Sequence, residues 1–181
     1  MPNETVGIKG TVVAVLTNTV TGEKKTVKVK NIVTNEGDRY YAERGALLTP
    51  GATISPVPLN FTDAFGAPDM EMSLFTTGAA PTKSSVFNTP TSFVTGSTKA
   101  MDSGYPKTND VDADNTGAAI DSVTYLVSYL TSEANGTIDD VVLANPGAAG
   151  ANPVLMHADG LAVTKTSADT LKVFVNHNFL G

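Results

Sequence analysis

Six carboxylates and two imidazoles are the groups with which this chain could do chemistry. Asp110, Asp112 and Asp114 stand at alternate positions, and Asp121 follows. Oxygen donors spaced in this way suit a calcium ion. Three details weaken that reading. Asn115 stands where such a loop needs glycine for its sharp turn. Asp121 is too short to imitate the usual bidentate glutamate. Ser103-Gly104-Tyr105-Pro106 cannot be the helix that leads in. A solvated acidic loop is the stronger reading of these four residues. Asp139 and Asp140 are adjacent. Neighbours on a strand point to opposite faces, so the pair is not expected to act on one bond.

His157 and His177 are the only histidines. His177 falls on the apolar face of the last predicted strand, which makes it a satisfied edge histidine rather than a ligand or base. No G-x-S-x-G elbow presents a serine nucleophile. Asn145-Pro146-Gly147-Ala148-Ala149-Gly150 lacks the Lys and Ser/Thr of a phosphate loop. The chain has no cysteine, so disulfides, thiolate zinc sites and thiol catalysis are excluded. The expectation is a non-enzymatic protein with no cofactor.

The elements that would position these groups are mostly strands. Thr11–Leu16 is a β-branched run, Asn18–Glu23 supplies turn residues, and Lys25–Ile32 alternates. This predicts a hairpin with one basic, wet side carrying Lys24, Lys25, Lys28 and Lys30. Thr34 or Asn35 can cap a short helix whose first turn holds Glu36 and Asp38 and whose last holds Arg44 before Gly45. Downstream, Ser122–Leu130 alternates and Asn135-Gly136 signals a tight hairpin returning through Ile138–Leu143. Val154–Ala158, Leu161–Thr166 and Leu171–Phe179 complete a predicted antiparallel meander, with a tight turn at Asp159-Gly160.

Between these parts, residues 46–117 are mostly Gly, Pro, Thr, Ser, Asn and Asp. Structureless loops longer than about 15 residues are uncommon in compact domains. This stretch is therefore expected to be an extended arm that gains order on a neighbour, with Phe61, Phe65, Phe87 and Phe93 as spaced anchors. Within it, Met70–Phe75 alternates like a half-buried strand ending at Gly78. The predicted organisation is an N-terminal hairpin and helix (1–45), the arm (46–117), and a meander (118–181) that packs with the first part. The fold class is mainly β: an antiparallel β-sandwich or jelly-roll-like domain with one short helix and a long arm.

Composition narrows the partners. Charged residues make up 17% of the chain, below the roughly 25% of average soluble domains. The net charge is −6. It divides into +2 over residues 1–45 and −8 over the remainder. Overall acidity argues against nucleic acid, which needs a dominant basic face. No apolar run reaches the length of a membrane span, and the polar start Met1-Pro2-Asn3-Glu4-Thr5 is not read as a secretory signal. A basic first part suits docking on an acidic neighbour, including another copy of the chain.

The run Lys30-Asn31-Ile32-Val33-Thr34-Asn35-Glu36-Gly37 after a hairpin resembles a pattern in structural proteins of tailed-bacteriophage virions. So do Met72-Ser73-Leu74-Phe75-Thr76-Thr77-Gly78-Ala79-Ala80-Pro81-Thr82 and the closing strands around Leu161–Thr166 and Thr170–Val173. Thr49–Asn60 and the acidic loop near Asp110 lie outside the pattern. The resemblance implies a capsid decoration (cement) protein, seated between subunits of the major capsid protein in the virion and commonly a trimer. A tail, neck or baseplate component is the second expectation. A glycan- or receptor-binding module of a tail fibre is the third.

Overall fold

The computed structural model describes residues 8–45, 70–108 and 122–179. The strands are β1 (Lys9–Asn18), β2 (Lys24–Val33), β3 (Glu71–Thr77), β4 (Thr91–Phe93), β5 (Lys99–Ala100) and β6 (Lys107–Thr108). They continue with β7 (Ser122–Tyr129), β8 (Gly136–Ile138), β9 (Asp140–Ala144), β10 (Val154–Ala158), β11 (Val163–Lys165) and β12 (Asp169–Asn178). One helix, α1 (Asn35–Gly45), follows β2. Ten strands form one antiparallel sheet in the order β4-β3-β9-β10-β2-β1-β12-β7-β6, with β5 beside β3. β8 and β11 make a separate two-stranded ribbon.

The sheet curls into a sandwich-like domain because its strands are apolar on the concave side. Val12 and Ala14 of β1, Val173 and Val175 of β12, and Tyr125, Val127 and Tyr129 of β7 share one core. Met72 and Leu74 of β3, Val141 and Leu143 of β9, and Met156 of β10 join them. Each fully buried aliphatic side chain contributes about 1.5–3 kcal/mol to that closure. A second, smaller core lies on the convex side of β3, β9 and β10, where Phe75, Val142, Ala144 and Val154 meet Phe87 and Ala148.

The first hairpin forms as its alternation requires, with Val12 opposite Val29 and Ala14 opposite Val27. Thr34 caps α1: its hydroxyl accepts a hydrogen bond from the Gly37 amide at 3.0 Å. The helix brings Tyr40 and Tyr41 onto the main core. Among the described residues three large hydrophobics are exposed: Phe93 ends β4, and Val20 and Leu130 lie just past β1 and β7.

Three sequence expectations change. Residues 70–108 are not an arm: they supply β3, β4, β5 and β6 to the sheet. Met70, Met72 and Leu74 are buried in the core of the same chain. A few apolar residues suffice there because β9 and β4 flank β3 and share the burial. The rest of the predicted arm, including Phe61 and Phe65, lies outside the described residues. Asn135-Gly136 does not close a hairpin, because β7 pairs with β12 and β6 while β8 pairs with β11. The loop instead serves Lys165, a buried lysine whose ammonium donates to Asn135 Oδ1 at 2.8 Å and to the Thr131 carbonyl at 3.3 Å. Finally, β12 lies between β1 and β7, so His177 is on a central strand rather than an edge.

Candidate functional site

The densest chemistry in the described residues lies at one end of three neighbouring strands. β3 finishes there, β9 starts there and β10 finishes there, because antiparallel neighbours alternate in direction. Register places the side chains. Phe75 is opposite Asp140, Val142 opposite His157, and Val141 opposite Ala158. Continued by one step, that register sets Asp159 against Asp140. His157, Asp159 and Asp140 thus share the convex face.

Asp139 joins them by a break in regularity. It sits between β8 and β9, where its amide donates to the Phe75 carbonyl at 2.8 Å and its carbonyl accepts from Leu161. Alternation does not carry through this junction, so Asp139 and Asp140 do not diverge as a continuous strand would make them. One oxygen each of Asp139, Asp140 and Asp159 lies within 4.8 Å of the others. Gly78, just past β3, floors the cluster: a Cβ there would overlap Asp159 Oδ1 and Asp139 Oδ2 and stand 3.3 Å from Asp140 Oδ1. Gly78 is exposed, while Asp139 and Asp159 are partly so. The cluster therefore opens to solvent.

Behind it is a buried relay. His157 Nε2 lies 2.7 Å from Asp140 Oδ2, and both side chains are fully buried. The Ala79 amide donates to the same oxygen at 3.0 Å. His157 Nδ1 meets Ser85 Oγ at 3.1 Å, and Ser85 Oγ accepts from the Thr82 amide at 2.9 Å. His157 thus links Asp140 of β9 to the turn that holds Ser85. Asp140 Oδ1 is buried with no hydrogen-bond partner and faces the other two carboxylates. Asp159 is held above the usual carboxylate range, first by burial and then by the Asp140 carboxyl.

Ser85, His157 and Asp140 have the composition of a catalytic triad but not its access. Ser85 is 4% exposed and the other two are fully buried. A nucleophile must reach a substrate atom, and this hydroxyl is enclosed by its own loop. What the array does is fix Asp140, whose second oxygen then points into the acidic cluster.

The other histidine has neutral partners. Asn31 Nδ2 donates to His177 Nε2 at 2.8 Å, so Nδ1 carries the proton toward the Tyr41 hydroxyl at 2.6 Å. Tyr41 and Tyr125 share a further hydrogen bond of 2.8 Å. Desolvation alone lowers His177 to about 3, so it stays neutral through the physiological range. This chain ties α1 to β2, β7 and β12.

Of the residues singled out in the sequence, Lys24, Lys25, Lys28 and Lys30 are exposed on β2. Lys24, Lys28 and Lys30 share the convex face, and Lys25 points the other way at the hairpin end. Phe87 packs on Phe75 with ring centroids 5.5 Å apart, and Phe93, 43% exposed, packs on it at 5.6 Å. Both grip this chain's own core. Asp110, Asp112, Asp114 and Asp121 lie outside the described residues. The Asp139–Asp140–Asp159 cluster was missed because strand alternation was applied across a junction. The usable signal was His157 and Asp159 two apart on a strand, opposite an Asp pair. No family model, curated protein or solved structure matches this chain.

Proposed function

We propose that this protein is a non-enzymatic virion structural component, a capsid decoration protein that bridges subunits of the major capsid protein as a homo-oligomer, in the trimer arrangement the resemblance implies. The observation that carries the reading is the convex face of β2, β1 and β12. Half-buried Val13, Val15 and Phe174 form its apolar centre. Register sets Val13 between Lys28 and Phe174, and Lys172 beside Val15, while Lys24 and Lys30 lie further along. All four lysines are exposed. Among the described residues none of them has an ion-pair partner. An apolar strip bordered by unpaired cations fits a docking surface for an acidic protein, with the charges setting encounter rate and register.

The sealed Ser85–His157–Asp140 array supports the non-enzymatic side of the reading. Among the described residues, no helix is long and apolar enough to cross a membrane.

The test is binding of the purified chain to emptied, expanded capsids and, separately, to tails. Capsid binding that weakens roughly tenfold or more in a Lys28→Glu/Lys30→Glu variant, and falls with added salt, would support it. Binding only to tails, or low copy number per particle, would assign the chain to a tail, neck or baseplate. Glycan binding by the isolated chain would favour a fibre-tip module, and hydrolysis of a surface polysaccharide would end the non-enzymatic reading.

A further inference from the structure

We propose that Asp139, Asp140 and Asp159 form a site for one divalent cation of the calcium type, closed over Gly78 and oriented from behind by His157. This goes beyond the proposed virion role and does not depend on it.

The first support is geometric. Ligand oxygens on one calcium ion lie at about 2.3–2.6 Å from it, so no two are more than about 5 Å apart. One oxygen from each of the three carboxylates meets that limit, all lying within 4.8 Å of one another. The donors are all hard oxygens, which selects calcium, magnesium or manganese over softer metals. The two more accessible carboxylates leave room for waters to complete the shell.

The second support is independent of the clustering. Asp140 is fully buried, and its Oδ1 has no hydrogen-bond partner although it faces the other two carboxylates. An orphan carboxylate oxygen is costly unless something positive meets it. Its other oxygen is already held by His157 and the Ala79 amide. Such a histidine behind a ligand carboxylate is the outer support that metal sites use to fix their donors. Among the described residues, no lysine or arginine forms an ion pair with any of the three.

The third support is the floor. Only glycine at position 78 leaves the space in which the Asp159 and Asp139 oxygens converge. Elsewhere Asp139 is anchored: its Oδ1 accepts from the Ala162 amide at 3.2 Å, leaving Oδ2 for the site. Ala162 holds a φ of +46°, a left-handed conformation uncommon for alanine, at the start of β11. A bound cation would link the end of β3, the β8–β9 junction and the β10–β11 turn.

The experiment is thermal unfolding and titration calorimetry on the full chain, stripped with chelator and then given calcium, magnesium or manganese alone at pH 7.5. The expected result is one saturable site. It should raise Tm by about 5–10 °C once the cation reaches a roughly hundredfold excess over its Kd. Asp159→Asn, Asp139→Asn and Gly78→Ala should each weaken binding at least tenfold. Gly78→Ala keeps every charge, so its effect would separate a coordinating geometry from general acidity. A combined Asp110→Asn/Asp112→Asn/Asp114→Asn variant should respond like the parent. The proposal is overturned if none of the three cations moves Tm. It is equally overturned if the Asp110 loop variant alone loses the response, or if Asp159→Asn raises Tm with no cation response in the parent, which would mean a shared proton.

Discussion

Two buried histidines sit on this scaffold and do different things. His177 lies on β12 among Asn31, Tyr41 and Tyr125, all neutral donors or acceptors. His157 lies on β10 against a buried carboxylate, within reach of a solvent-facing acidic cluster. Both rings are fully buried. Burial alone therefore does not tell a structural histidine from a positioning one. The partner decides: His177 is held by neutral groups, whereas Asp140 turns its second oxygen into the acidic cluster.

The sharpest way to break this comparison is to remove each ring. His157→Leu strands the Asp140 carboxyl without its hydrogen-bond partner, and leaving such a buried group unsatisfied costs about 1–3 kcal/mol, more when it is charged. Chemical denaturation should show that loss at pH 7. Asp140→Asn in the same background should recover part of it, because the stranded charge is gone. Failure of that recovery would mean His157 only fills space.

For His177 the decisive handle is Gly10. A Cβ on Gly10 would overlap the Asn31 carboxamide, so Gly10→Ala should push Asn31 off the ring and cost about 1–3 kcal/mol. Combined with Asn31→Ala the two losses should be less than additive, since the obstructed group is then absent. Strict additivity in a double-mutant cycle would show that the carboxamide is not what Gly10 accommodates.

Acid titration should separate the two sites by sign. The ring of His177 is lowered in the folded state to about 3 from an ordinary value near 6.5. The unfolded chain takes up that proton first, so stability is full above the ordinary value and falls as pH drops toward 3. The slope is at most about 1.4 kcal/mol per pH unit for one proton. Asp159 is raised in the folded state, so its sign is opposite. Without cation, its contribution is full below the ordinary carboxylate value and is lost as pH rises through the elevated one. Asp159→Asn should remove that component and leave the His177 slope intact, as read from unfolding midpoints between pH 3 and 7.

The smallest effect calibrates the rest. Lys83 Nζ and Asp38 Oδ2 are 2.6 Å apart, close to the 2.7 Å of His157 and Asp140, but at the surface. Lys83→Ala should cost less than about 0.5 kcal/mol, since exposed pairs gain little against solvent and side-chain entropy. A cost near that of His157→Leu would show that separation matters more than burial here.

Much of the β architecture was legible in the sequence. A β-branched run located β1, alternation located β2, β7 and β12, and Thr34 and Gly45 bounded the helix, because strand and helix signals depend only on neighbours along the chain. The candidate site was not legible in the same way. Asp139 and Asp140 were rightly seen as adjacent and wrongly assigned to opposite faces, because a two-residue period holds only inside an unbroken strand. Met70–Phe75 was read as a strand, yet the polar residues around it suggested an arm. Local composition cannot show that distant strands will share the burial.

Sequence by itself determined the element types, the basic face of β2 and the lack of thiol chemistry, all of which follow from residue identity and local spacing. Only the tertiary structure decided which strands became neighbours, and with that which carboxylates met over Gly78 and which histidine stood behind them. The reason is physical. Register between strands far apart in the chain is set by the packing of a common core, and a shift of one residue would carry Asp140, His157 and Asp159 to the opposite face.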